Sequence, residues 1–245
     1  MMIGEGGGKM TAGAEQVVTT TFGVEVLAAP HLSPRMIESM SNGRYEGNEI
    51  SCGLAAIPKG ARILELGAGA GVVGSILAKN IADVTILSVE ANPTLIDHIA
   101  ALHAHNGLAG TITVRHGVVL CNADAPDAID FFVRGNFLGS GLAQGSHPRA
   151  KATRVPVIRY DDLKRDFPHD TIMMDIEGGE LEFLQGADLT GVERIVAEFH
   201  RGIYGVPGMR QCKQALRGKG FGLNDELSKG TVKVWERVAV AEAAA

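Results

Sequence analysis

Apolar and polar positions follow two rhythms along this chain. Up to about residue 60 the spacing is helical. Ser33-Pro34 supplies an N-cap with proline at the first helical position, which predicts a short helix to about Met40. Asn42-Gly43 breaks it, and Tyr45 to about Ala56 predicts a second helix, ended by Pro58 and Gly60. From Arg62 onward, short apolar runs alternate with helical spacing. Arg62–Leu66 predicts a strand, Val72 to Asn80 a helix and Val84–Val89 a second strand. Asn92-Pro93 supplies another N-cap. Leu95, Ile96, Ile99 and Leu102 then recur at helical spacing until Asn106-Gly107 stops the helix, and Ile112–Val119 predicts a third strand.

The alternation pauses over about residues 120–153, where glycines 135, 139, 141 and 145 and Phe131, Phe132 and Phe137 predict a hairpin and a mobile loop across one end of the sheet. It resumes with a strand at Val155–Tyr160, a short helix at Asp161–Asp166, a strand at Thr171–Ile176, a helix at Glu180–Gln185 and a strand at Arg194–Phe199. A helix over Met209–Lys219 and two strands near 221–227 and 231–239 close the chain. Such alternation predicts an α/β fold, a mostly parallel sheet with helices on both faces. Ser228-Lys229-Gly230 is too short for a parallel crossover, so the last two strands form an antiparallel C-terminal hairpin. The chain thus divides into a flexible leader (1–21), an N-terminal helical segment (22–60) and one domain (61–245) that carries the 120–153 insertion.

Composition narrows the function. Lysine plus arginine number 23 against 28 aspartate plus glutamate, a net charge of −5, which disfavours a general nucleic-acid binder. The leader has glycine at 4, 6, 7, 8 and 13 but no signal-peptide core, and no apolar run approaches the roughly 18 residues of a membrane span. Cys52, Cys121 and Cys212 stand far apart without a CxxC pair, so neither a zinc site nor a disulfide framework is indicated. These features together predict a cytoplasmic protein with no nucleic-acid or membrane partner. Glycine accounts for 32 of 245 residues, about twice the usual share of roughly 7%, and part of that excess falls where chemistry is expected.

Gly67, Gly69 and Gly71 follow the first parallel strand, and the next helix starts at once. Ligands of open α/β sheets bind at this carboxyl edge, and glycine lets the backbone turn tightly and approach a ligand. Glu90 ends the second strand, where a carboxylate can accept both hydroxyl protons of a ribose; Asn92 follows it. Gly117 and Val118, after the third strand, are placed at the adenine by analogy of fold. Gly69-x-Gly71-x-x-Gly74 satisfies the dinucleotide fingerprint, with an acid about 20 residues on. Glu65 separates the two cofactors that fit. A carboxylate there suits the cationic methionine end of S-adenosylmethionine better than a pyrophosphate.

A second constellation lies further along. Met174-Asp175-Ile176-Glu177-Gly178-Gly179-Glu180 ends one strand and Ala197-Glu198-Phe199-His200 the next. Alternation turns Asp175 and Glu177 one way, and Glu198 and His200 likewise. Asp175, Glu198 and His200 are the catalytic candidates, with Asp175 or His200 as the base. Helix capping by Asp175, Glu177 and Glu180 and a structural role for His200 are the plain alternatives. A divalent metal on Asp175, Glu198 and His200 is a further use of the same groups; no metal is assigned. Tyr45, Glu46 and Glu49 sit on a leading helix that either closes over the cofactor or faces solvent.

Leu64-Glu65-Leu66-Gly67-Ala68-Gly69-Ala70-Gly71, Val89-Glu90-Ala91-Asn92-Pro93, Asn106-Gly107 and Asp175-Ile176-Glu177-Gly178-Gly179-Glu180 with Leu184-x-Gly186-Ala187 resemble the FkbM family of methyltransferases. The resemblance runs from about Ala61 to Tyr204. It departs at Gly69, often Asn in the family, at Met173, often Lys, and at Gly179, often Ala; the missing lysine removes a cation from the site. The resemblance implies a class I methyltransferase (Rossmann-like) fold. It also implies S-adenosylmethionine-dependent O-methylation of a small-molecule hydroxyl, of sugar or polyketide type. A homodimer is compatible with it. The competing readings are an NAD(P)-dependent oxidoreductase and a non-catalytic module that binds S-adenosylmethionine.

Overall fold

The structure, a computed structural model, describes residues 16–133 and 151–238. Its main sheet has seven strands. They are β3 (Arg62–Leu66), β4 (Thr85–Glu90), β5 (Ile112–His116), β9 (Thr171–Met174), β10 (Arg194–Glu198), β11 (Phe221–Lys229) and β12 (Val232–Arg237). Their spatial order is β11-β12-β10-β9-β3-β4-β5. β5, β4, β3, β9 and β10 run parallel, and β12 is antiparallel to both β10 and β11. The expected α/β architecture with its C-terminal antiparallel hairpin is therefore present. The order reverses between β3 and β4 on one side and β9 on the other, which makes the carboxyl end of β3 the switch point where ligands bind.

The central strands β3, β4 and β9 bury both faces, as a covered parallel sheet requires. On β3, Ile63 joins a core cluster with α3 (Val72–Asn80), α4 (Ile96–His105) and the N-terminal elements, while Leu64 and Leu66 join the opposite cluster with α5 (Tyr160–Asp166), α6 (Glu180–Gly186) and α7 (Arg201–Gly218). The N-terminal helices α1 (Pro34–Ser41) and α2 (Gly47–Ala56) belong to the first cluster through Met36, Met40, Ile50 and Ala56. Ser33 caps α1 as expected, its Oγ accepting the Met36 N–H at 3.2 Å.

Four boundaries differ from the sequence expectation. The leader does not run unstructured to Thr21, because β1 (Val17–Thr21) pairs antiparallel with β2 (Val24–Leu27). Phe22 and Gly23 both take positive φ, 46° and 79°, as a two-residue hairpin turn demands, and Val24 and Val26 bury into the first cluster. Residues 1–15 lie outside the described residues. The third strand breaks at Gly117: β5 stops at His116, and β6 (Val118–Leu120) leaves to pair with β8 (Lys151–Arg159) in a separate sheet. β7 (Ala128–Val133) pairs antiparallel with β8, the expected hairpin, whose expected loop over 134–150, with Phe137, lies outside the described residues. Asn92 does not cap α4, which begins at Ile96; its Oδ1 instead accepts the Thr94 N–H and hydroxyl. Finally, α7 begins at Arg201 rather than Met209, with a break at Gly205, where φ is 68° and ψ −173°. Among the described residues no helix is long and apolar enough to cross a membrane.

Candidate functional site

The glycine loop after β3 turns under the constraints of its neighbours. Gly67, Gly69 and Gly71 all take positive φ, at 86°, 53° and 75°. A Cβ on Gly67 would sit 1.7 Å from the Asp175 carbonyl oxygen, so only glycine lets the loop lie against the end of β9. A Cβ on Gly71 would meet Ile99 of α4 at 2.9 Å, and one on Gly74 would meet Glu65 Oε2 at 2.5 Å. Two of the fingerprint glycines thus serve packing within the chain, whereas Gly67 and Gly69 line an open cleft.

That cleft encloses about 960 Å³, solvent at its mouth included. Leu66, Val89 and Phe183 form apolar floor, and Val118, Val119 and Phe131 an apolar flank. Glu90, Asp175, Glu177 and Glu182 supply the charge. Among the described residues that line the cleft there is no arginine, lysine or histidine. The wall is therefore acidic and apolar, suited to a cationic ligand with an aromatic end.

Glu90 orders the loop. The Gly69 N–H donates to its Oε2 at 2.8 Å and the Asn92 N–H to its Oε1 at 2.7 Å. Burial pushes this carboxyl up to about 7, against the pull of those N–H groups. Each oxygen keeps a lone pair for a further donor. Gly117 and Val118 also line the cleft. A Cβ on Gly117 would come 2.7 Å from Ile158 Cδ1, so glycine is what lets the chain pass β8 there.

The other sequence candidates are placed differently. Glu65 is buried behind the loop, where Ser88 donates a hydroxyl hydrogen bond to its Oε2. Burial pushes Glu65 up to about 7, opposed by bonds from Ser88 and the Gly74 N–H. It lies outside the cleft wall, as do Gly71, Asn92, Glu198 and His200. Glu65, Gly71 and Asn92, expected at the cofactor, stand behind the wall-forming residues of the loop. Sequence reading missed Cys121, Phe131, Glu182 and Phe183 in the wall, because they reach the cleft from the end of β6, from β7 and from α6 and form no local motif.

Asp175, Glu177, Glu198 and His200 do come together. Asp175 and Glu177 follow β9, and Glu177 has the left-handed φ of 50° that brings its side chain back. His200 Nε2 lies 3.5 Å from both Asp175 Oδ1 and Glu177 Oε2. His200 Nδ1 bonds Glu180 Oε1 at 2.9 Å, and the Gly178 N–H donates to the same oxygen. Burial lowers His200, but the bond to Glu180 and the charges of Glu180, Asp175 and Glu177 outweigh it and hold the ring up to about 9. Burial pushes Asp175 up to about 8; His200 pulls it down, and Glu177, Glu198 and Glu46 push it further up. Tyr45 and Glu49 close this region from α2 and the turn before it. Burial raises Glu49 well above the usual carboxylate range, with Asp175 its strongest charged neighbour.

The family model of the methyltransferase FkbM domain matches residues 65–222. No curated protein matches significantly. Solved structures of similar shape include a precorrin-6y C5,15-methyltransferase from Geobacter metallireducens, at 12% identity over 79% of this chain and 89% of that one, with a TM-score of 0.47. An O-methyltransferase from Bacillus cereus in complex with SAH matches at 14% identity over 86% and 84%, with a TM-score of 0.48. TYW2 from M. jannaschii in complex with AdoMet matches at 15% over 89% and 85%, also at 0.48. Identities this low say nothing of the acceptor. The family match spans most of the sheet and both acidic motifs, and it decides between the two cofactors that the sequence left open. The chain belongs to the FkbM family of methyltransferases, whose methyl donor is S-adenosylmethionine.

Proposed function

We propose that this protein methylates a hydroxyl group of a small molecule, of sugar or polyketide type, with the carboxylate of Asp175 as base. The observation that carries the reading is the shared position of Asp175. Its carbonyl oxygen lies against Gly67 of the cofactor loop, and the residue itself lines the cleft. A base built into the cofactor loop's own wall is adjacent to whatever that loop holds. S-adenosylmethionine, when bound, supplies an electrophilic methyl group on a sulfonium.

The residues present fit that group. Gly67 and Gly69 offer backbone with no side chain, and Glu90 has acceptor capacity left for ribose hydroxyls. Val89, Val118, Val119 and Phe131 give an aromatic base apolar walls. Glu90, Asp175 and Glu182 make the wall acidic, and no described residue that lines it is a lysine or arginine, which suits a ligand that brings its own positive charge.

The chain's part in the reaction is then small and specific. An alcohol must lose its proton as it attacks, and the attack must be in line over about 3 Å. Asp175, with a pKa near 8, is matched to accept that proton close to neutral pH. His200, anchored by Glu180 and 3.5 Å from Asp175 Oδ1, limits how far burial raises Asp175. Unpaired cysteines and the acidic balance support a cytoplasmic setting. Asp175→Asn tests the reading: turnover is lost while affinity for S-adenosylmethionine stays within a few fold. Undiminished turnover in that variant removes Asp175 from the mechanism.

A further inference from the structure

We propose that Asp175, Glu198 and His200 hold a small divalent cation, of the Mg²⁺ or Mn²⁺ class, beside the acceptor end of the cleft. The inference rests on the methyltransferase reading for its purpose but not for its geometry. Asp175, Glu198 and His200 can each offer one ligand atom, and those atoms lie within 4.8 Å of one another. Two carboxylates with one imidazole make an oxygen-rich set, which favours hard divalent cations over softer ones.

The histidine is arranged as a ligand would be, once the cation takes the place of the proton on Nε2. Its Nδ1 is engaged by Glu180 Oε1 at 2.9 Å, and Glu180 is fully buried, so the ring is fixed with Nε2 turned toward Asp175. Metal-bound histidines are held in this way by a carboxylate behind the ring. Glu198 approaches from the end of β10, where the Thr231 hydroxyl donates to its Oε1 at 2.7 Å, leaving the second oxygen for another partner.

A separate observation points to a missing positive charge. Glu49, on α2, is only 4% exposed, and its Oε1 has no hydrogen-bond partner. Of the charges that act on it, Asp175 is strongest, followed by Glu46 and Glu198, so Glu49 faces the same cluster from a different element. Asp175 Oδ1 is likewise buried without a hydrogen-bond donor. Buried carboxylate oxygens left without donors are costly, and such groups in proteins are normally paired or bound to a metal. A cation on the cluster would pair with Asp175 Oδ1 and offset the charge that Glu49 brings to the same region.

Asp175 also lines the cleft, so a cation on its cluster side stands next to the acceptor. Its open coordination positions can take the acceptor hydroxyl and acidify it. In the transfer the O–H bond breaks, its proton leaves to the second oxygen of Asp175 or to water, the new O–CH3 bond forms and the S–CH3 bond of the donor breaks. Neutral products and the freed sulfide result, and no further reagent is needed.

Mn²⁺ titration of the chelator-treated full-length protein, followed by electron paramagnetic resonance, tests the site without turnover. The wild type takes up one Mn²⁺ per chain in competition with Mg²⁺, and Glu198→Gln and His200→Gln each weaken binding by about tenfold or more. Absence of saturable uptake overturns the proposal, as does unchanged uptake in variants whose melting curves show them folded. If one variant fails to fold, the other decides, with Asp175→Asn as a third. Calorimetric titration with S-adenosylmethionine is run in parallel. Donor binding without Mn²⁺ uptake removes the metal alone, and Mn²⁺ uptake without donor binding removes the methyltransferase reading alone.

Discussion

Replacing Glu90 with glutamine isolates the cofactor loop's main polar support. In the native chain its two oxygens accept the Gly69 N–H at 2.8 Å and the Asn92 N–H at 2.7 Å. Glutamine keeps one acceptor oxygen and turns an NH2 group toward one of those donors. One charge-assisted hydrogen bond to the loop is lost, and with it one acceptor for a ribose hydroxyl. A hydrogen bond to a charged group contributes about 1.5–3 kcal/mol. Loss of the ribose bond alone therefore weakens S-adenosylmethionine by roughly ten- to a hundredfold. Thermal stability is the poorer readout, because glutamine also relieves the burial that pushes Glu90 up to about 7. Isothermal titration with S-adenosylmethionine at pH 8, where the native carboxylate is largely charged, makes the comparison. Affinity of the variant within twofold of wild type would refute the assignment of Glu90 to the ribose.

Three further outcomes follow from the geometry. Gly67→Ala places a methyl group 1.7 Å from the Asp175 carbonyl oxygen at a φ of 86°. The left-handed strain alone costs about 1–2 kcal/mol, so a melting curve shows a loss of several degrees, and an unchanged Tm contradicts the close approach. In excess chelator, turnover at saturating substrate rises with pH through a midpoint near 8 as Asp175 loses its proton; a profile flat from pH 6 to 9 under those conditions denies it the role of base. The ligand-free protein melts at a lower temperature at pH 9 than at pH 7, a range above the ordinary histidine value where the lowered His31, His103 and His169 no longer oppose the trend. Glu65, Glu90 and Asp175 are all raised, so between their ordinary and raised values the folded state binds more protons than the unfolded chain and stability falls as pH rises. His200, raised to about 9, adds stability that is complete below about 6.5 and lost through 9, in the same direction. A Tm that climbs over this range would mean that these carboxyls are not raised.

The sheet was legible because its strands are short apolar runs punctuated by glycine, proline and asparagine. β3, for example, ends where the glycine loop begins. The hairpin of β1 and β2 was not, because Phe22 rather than glycine or asparagine takes the first positive-φ turn position, and the run of valine and threonine adjoins a glycine-rich leader. The first half of α7 was missed for a related reason: Gly202, Gly205, Pro207 and Gly208 argue against helix, and the helix does break at Gly205. Within the site, the glycine loop, Glu90 and the gathering of Asp175 with His200 were readable from strand ends alone. The orientation of Glu65 was not, since it depends on Ser88 of the next strand. Nor was the charge of His200, which is set by Glu180, 20 residues away in sequence.

The account's central claim is oxygen methylation with Asp175 as base. Its most direct test is formation of S-adenosylhomocysteine from S-adenosylmethionine over a panel of hydroxylated sugars and polyketide-like alcohols, with wild type and Asp175→Asn side by side. The account predicts acceptor-dependent release from wild type, a product carrying a new O–CH3 group, and no release from Asp175→Asn. A product methylated on nitrogen, carbon or sulfur, or equal release from the two proteins, would contradict it.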